Sequence, residues 1–179
     1  MPTTAKTKAR KAAERASRAT SKDAAGPGPT DAVALLEADH REVDGCFEAY
    51  EGLSDDREKK TMAARICLAL KVHVQIEEEI FYPAARQATG DGDLLDEALV
   101  EHMAAKSLIN EIEAMRPGQN LYDAKVKVLG EQIRHHVQEE EDELFPEVRK
   151  TKLDLKTLGT KMAARKAELL MQLSPQKAA

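Results

Sequence analysis

The stretch His73-Val-Gln-Ile-Glu77-Glu-Glu-Ile-Phe81-Tyr82-Pro83 decides the fold, because it returns later as His136-Val-Gln-Glu-Glu140-Glu-Asp-Glu-Leu144-Phe145-Pro146. Both copies share His-Val-Gln, a Glu four residues after the His, an aromatic nine after it and a Pro ten after it, at an offset of 63 residues. Upstream of each copy stands a lone histidine: His40 lies 33 residues before the first motif and His102 lies 34 before the second. The chain therefore carries one unit twice, a lone His followed by His-x-x-x-Glu on the next element.

The surrounding periodicity is helical. Val33, Leu36, His40, Val43, Phe47 and Tyr50 make a three/four stripe on a first helix over about 31–50, with Thr30 or Asp31 as its N-cap. The second helix, capped by Ser54, carries Met62, Ile66, Leu70, His73, Glu77, Ile80 and Ala84, and Pro83 is expected to kink or end it. A third runs over about 93–116 through Leu95, Ala98, His102, Ala105, Ile109 and Ile112, and stops at Arg116-Pro117-Gly118. Asn120 with Asp123 reads as a capping box for the fourth, whose stripe is Val126, Leu129, Ile133, His136, Glu140, Leu144 and Val148. A fifth amphipathic segment, about 153–173, is weakened by Gly159 and either packs on the bundle or serves a second copy in a homodimer. The expected fold is all-α: an up-down-up-down four-helix bundle over 30–150, a disordered basic tail over 1–29, and an extra C-terminal helix over 151–179.

Charge divides unevenly. Residues 1–29 hold seven Lys/Arg against Glu14 and Asp23, a net of +5, so the rest carries −10 of the overall −5. Closed by Gly26-Pro27-Gly28-Pro29, that tail buries too little apolar surface to order itself. It reads as a solubilising segment or as a weak nucleic-acid anchor, with no aromatic interleaved to stack on bases. The acidic remainder excludes a general nucleic-acid binder. No run of about eighteen apolar residues spans a membrane, and no apolar leader argues for secretion. Cytoplasmic is the expectation, with an organelle transit peptide as the alternative for the tail. Two cysteines, Cys46 and Cys67, are too few for a disulfide framework and read as buried free thiols or an oxidation-sensing pair.

Taken singly, a histidine on an apolar face is a core histidine. Taken together, these six residues are not. His73 and Glu77 project from one helix face, as do His136 and Glu140, and that face is the apolar stripe. An ionised carboxylate in a core costs several kcal/mol unless paired, and no Lys or Arg occupies a stripe position. Two buried carboxylates and four imidazoles need cations. The repeat implies a pseudo-two-fold arrangement of two His and one Glu per half, with carboxylates able to bridge. Mixed imidazole and carboxylate ligation suits two non-haem iron ions, with manganese or zinc as alternatives. The candidate metal ligands are His40, His73, Glu77, His102, His136 and Glu140. Glu78, Glu79, Glu139, Glu141 and Glu143 are assigned to the wet face. His135 with Glu139 repeats the His-x-x-x-Glu spacing, but the repeat register selects His136 and Glu140. Asp44 is a weaker additional ligand, and Tyr82 reads as a packing aromatic or, alternatively, as a phenol near the centre.

These residues resemble the hemerythrin-like HHE cation-binding family over about 31–150. The likeness rests on Asp39-His40, His73-x-x-x-Glu77-Glu78 with Phe81-Tyr82-Pro83, Glu101-His102, and His136-x-x-x-Glu140-Glu141 with Phe145-Pro146. It implies a four-helix bundle with a non-haem di-iron centre that meets O2, peroxide or nitric oxide. The oxygen carriers of the family have a second third-helix His where this chain has Lys106, and a late Asp where it has Glu140. The chain is closer to the bacterial subgroup with four His and two Glu. The implied function is a di-iron protein that binds or senses such small ligands. The alternatives are an enzyme consuming peroxide or nitric oxide, and an iron-sequestering protein brought to DNA by its tail.

Overall fold

In the computed structural model, residues 31–90 and 92–174 are described, and the expectations for the basic tail over 1–29 lie outside them. The chain is all-helical: α1 Ala32–Glu51, α2 Asp56–Ile76, α3 Tyr82–Thr89, α4 Asp93–Ala114, α5 Tyr122–Glu139, α6 Phe145–Lys150 and α7 Leu155–Leu173. Two π-helical segments, Glu77–Phe81 and Glu140–Leu144, join α2 to α3 and α5 to α6.

Asp31 caps α1 by accepting from the Ala34 amide at 2.8 Å. At α2 the cap is Asp55, which accepts from the Arg57 and Glu58 amides, and not Ser54. No capping box opens α5. Its N-cap is Leu121, in the left-handed region at φ 71° with no side-chain cap, because Asp123 is engaged elsewhere, by the Tyr50 hydroxyl and Lys59. Pro83 does not end its helix. The turn before it widens so that the Tyr82 amide donates to the Glu77 carbonyl, five residues back, and helix resumes on the other side. Phe145 donates to Glu140 in the same way ahead of Pro146. An α-helix would put the proline ring against the carbonyl four residues earlier; the π turn takes up the extra residue.

Long-range pairs fix the topology. Asp39 and Glu42 on α1 meet His73 and Arg65 on α2, while Glu101 and Glu111 on α4 meet His136 and Lys125 on α5. Glu78 and Lys71 meet His102 and Glu113 between the second and third long helices. Tyr50 and Asp44 on α1 meet Asp123 and Arg134 on α5. In every pair the numbers run in opposite senses, so α1, α2, α4 and α5 alternate up and down around a ring.

The core has two apolar compartments. One gathers Leu36, Ile76, Phe81, Leu95, Phe145 and Met162; the other gathers Phe47, Ile66, Leu70, Ile109, Leu129 and Ile133. Between them lies a polar layer, since His40 falls between Leu36 and Val43 and His102 between Ala98 and Ala105. Helix α7 covers α1 and α2 by burying Leu158, Met162 and Leu169, with Arg165 on Glu79 and Lys166 on Asp39. Gly159 is what allows this. A Cβ there would stand 2.7 Å from the Ala32 nitrogen and the Asp31 carbonyl carbon. The residue expected to weaken α7 is the one that lets it dock.

Candidate metal centre

All six candidate ligands come together in the polar layer. They are the buried polar side chains of the described chain, with Glu77 0% and Glu140 2% exposed. The imidazoles face each other in pairs: His40 Nε2 is 3.1 Å from His73 Nε2, and His102 Nε2 is 3.2 Å from His136 Nε2. Glu77 spans both pairs, with Oε1 3.2 Å from His73 Nε2 and Oε2 3.4 Å from His102 Nε2. Glu140 Oε2 lies 3.3 Å from His40 Nε2 and 3.6 Å from His136 Nε2. Both carboxylates leave their helices at the π turns, so the turn that accommodates each proline also starts at a core carboxylate.

Each imidazole has a carboxylate behind it. His136 Nδ1 contacts Glu101 at 2.7 Å, His40 Nδ1 contacts Glu141 at 2.8 Å, and His102 Nδ1 contacts Glu78 at 3.1 Å. His73 Nδ1 lies 3.6 Å from Asp39, whose other oxygen is held by Lys166. A carboxylate at Nδ1 fixes the proton there and turns the Nε2 lone pair inward. Glu141 is exposed, as expected for the wet face, and Glu78 is half-buried; each also reaches back to orient a core histidine on a neighbouring helix. Their positions directly after Glu77 and Glu140, and those of Asp39 and Glu101 directly before His40 and His102, were the available signal.

The layer departs from two-fold symmetry at Tyr82. Tyr82 donates its hydroxyl to Glu140 Oε1 at 2.9 Å and lies 3.3 Å from His102 Nε2, whereas Phe145, its counterpart, has no hydroxyl and stacks on His40 at 5.8 Å. Tyr82 is thus part of the site and not only packing. Potential ligand atoms fall into one group of four residues (His40, His73, Glu77, Glu140) and one of three (Glu77, His102, His136). Asp44 takes no part; it accepts from Arg134. His135 points outward, its side chain 64% exposed.

Charge in this layer is unbalanced. Neither Glu77 oxygen has a hydrogen-bond partner, nor has Glu140 Oε2. Burial alone raises a carboxyl pKa, but the charge of His73 and the nearby His102 imidazole hold Glu77 well below its ordinary range. Burial likewise lowers an imidazolium, yet the charges of Glu77 and nearby Asp39 bring His73 up to about 10. His102 is raised against its burial through Glu77. The Tyr82 phenol is pushed well up by burial and then by Glu77 and Glu140, so it keeps its proton. Four inward lone pairs around unpartnered carboxylates form a cation cradle, and in its absence protons do the neutralising. Cys46 and Cys67 are buried free thiols away from this layer, Cys67 pushed up to about 12 by burial.

Residues 31–148 match the Hemerythrin HHE cation binding domain family. A crystal structure of a hemerythrin HHE cation binding domain-containing protein from Mycobacterium kansasii superposes with a TM-score of 0.69 at 22% identity, covering 83% of this chain and 94% of that one. A protein from Nostoc sp. named DNA nickase is 27% identical over 144 residues, 79% of this chain. The chain spans 41% of that relative's length.

Proposed function

The chain belongs to the hemerythrin HHE cation-binding family, and from that premise we propose that it holds two non-haem iron ions and uses them to bind, sense or reduce O2, peroxide or nitric oxide. The observation that carries this is the pair of core carboxylates with three unpartnered oxygens facing four imidazole Nε2 atoms and no basic side chain. Such a layer costs several kcal/mol per buried charge unless cations fill it, and its donor set of imidazole and carboxylate is that of non-haem iron. His40, His73, Glu77 and Glu140 would hold one ion; Glu77, His102 and His136 would hold the other. When bound, iron supplies Lewis acidity and redox equivalents. The chain's own residues do the rest. Glu141, Glu78 and Glu101 keep protons on the outer nitrogens of His40, His102 and His136, and Asp39 places its charge 3.6 Å from His73 Nδ1. Tyr82 holds a proton at the centre on the three-residue side. The two apolar compartments exclude bulk water from above and below.

Elemental analysis and absorption spectra of protein purified in air test this. Two irons per chain are expected, with near-ultraviolet charge-transfer absorption that disappears in Glu77→Gln/Glu140→Gln. One zinc, or no metal with an unaltered spectrum in that shape-preserving variant, would overturn it.

A further inference from the structure

How would an ion reach this layer? Among the described residues, clefts come up to ligand side chains from several sides, and their charge differs. The cleft between α1, α2 and α7 that reaches His73 carries Arg65 and Lys166 beside Asp39 and Glu42. The one between α1 and α5 that reaches His40 carries Arg41 and Arg134 beside Asp44, Glu141 and Asp142. The two clefts between α4 and α5 that reach His136 have no Lys or Arg in their walls. The narrower of these, about 10 Å³, admits roughly one water-sized sphere. Glu97, Glu101 and Glu139 line it on the outer side, and His136 and Glu140 on the inner. Glu140 is 2% exposed and its Oε2 has no hydrogen-bond partner.

Glu139 in that wall belongs to the His-x-x-x-Glu pair that the repeat register passed over, and its partner His135 lines the wider cleft alongside, with Glu101 common to both. His135 Nε2 lies 3.4 Å from Glu139 Oε1 and 3.8 Å from Glu101 Oε1. The three offer ligand atoms within 4.8 Å of one another. Glu101 faces both ways, because its other oxygen holds His136 Nδ1 at 2.7 Å.

We infer that Glu101, His135 and Glu139 form a third, outer cation site, which receives a divalent transition-metal ion and passes it along the acidic cleft to His136 and Glu140. The inference rests on the core binding metal as proposed above. An imidazole with two carboxylates suits the same class of ion as the core. Three half-exposed ligands hold it weakly, as a transfer point requires. On the α1 side guanidinium and ammonium groups offset most or all of the carboxylate charge; the narrow cleft between α4 and α5 carries four carboxylates with no Lys or Arg among them, which concentrate a cation locally.

The test uses metal-free full-length protein and cobalt(II), followed by its visible bands in equilibrium titration and in stopped flow. Wild type should take two ions tightly and a third weakly. His135→Ala/Glu139→Gln, altered only outside the core, should lose the third ion, keep the two tight ones, and fill them about tenfold more slowly or worse. Glu143→Gln, an exposed site outside the cleft, removes a charge without touching the mouth and should load at the wild-type rate. Two tight ions filled at the wild-type rate in the double variant would overturn the outer site alone, as would equal slowing by Glu143→Gln. Failure of wild type to take any tight ion would overturn the core reading and the route with it.

Discussion

At the scale of single residues, the site turns on which nitrogen and which oxygen each side chain commits. His40, His102 and His136 spend Nδ1 on carboxylates that follow or precede a ligand in sequence, so each Nε2 is left facing inward. Tyr82 spends its proton on Glu140 Oε1 and thereby leaves one half of the layer with four candidate ligands and the other with three. Tyr82→Phe should therefore do two things. Without metal it leaves a buried carboxylate oxygen undonated, at a cost of about 1–3 kcal/mol, read by thermal unfolding. With metal it returns Glu140 Oε1 to the weaker half, so the two stepwise cobalt affinities should draw together. Unchanged stability and unchanged stepwise constants would show that the phenol only packs.

At the scale of elements, the informative places are where helix regularity is broken or crowded. Each π turn begins at a core carboxylate and ends just before the aromatic-proline pair, so one local irregularity both accommodates the proline and starts at the carboxylate that faces the layer. Crowding decides how α7 docks. Gly159→Ala adds a methyl against backbone of α1 that cannot rotate away, and overpacking of that kind costs about 1–3 kcal/mol. Gly45→Ala is the matched control, a mid-α1 glycine with nothing within 4 Å of an added Cβ; it should raise stability by roughly 0.5–1 kcal/mol. Opposite shifts in the unfolding midpoint are expected, and equal ones would mean that α7 does not seat on α1 as described.

At the scale of the whole molecule, the charged layer ties folding to pH and to metal. In the metal-free chain His73 is raised to about 10 by Glu77 and Asp39 despite its burial, from an unfolded value of about 6.5. A raised imidazolium gives stability that is complete below the unfolded value and is lost as pH climbs through the folded one. Glu77, depressed in the fold, stays ionised throughout that range and does not offset the loss. The unfolding midpoint of metal-free protein should thus fall by roughly 5 °C or more between pH 6.5 and 10. Metal at Nε2 displaces the proton, so the loaded protein should show no such fall. Parallel midpoints in the two forms would overturn this linkage. Among the described residues no helix is long and apolar enough to cross a membrane.

The sequence by itself determined the all-helical bundle and gathered the six core residues, because period-3.6 stripes and a duplicated His-x-x-x-Glu are local patterns that survive without coordinates. It also narrowed the first cap to Thr30 or Asp31 and separated His136 from His135 by register. What it left to the tertiary structure was everything that depends on a partner from another helix. Glu78 and Glu141 look solvated from their own helix, and only the approach of α4 and α1 places an imidazole nitrogen against them. Tyr82 and Phe145 occupy equivalent places in the repeat, and one hydroxyl reaching a carboxylate 58 residues away makes the two halves unequal. Gly159 reads as a weak point of its helix until the backbone of α1 is seen lying against it. Periodicity along one helix says which face is buried; what that face meets is a property of the packed chain.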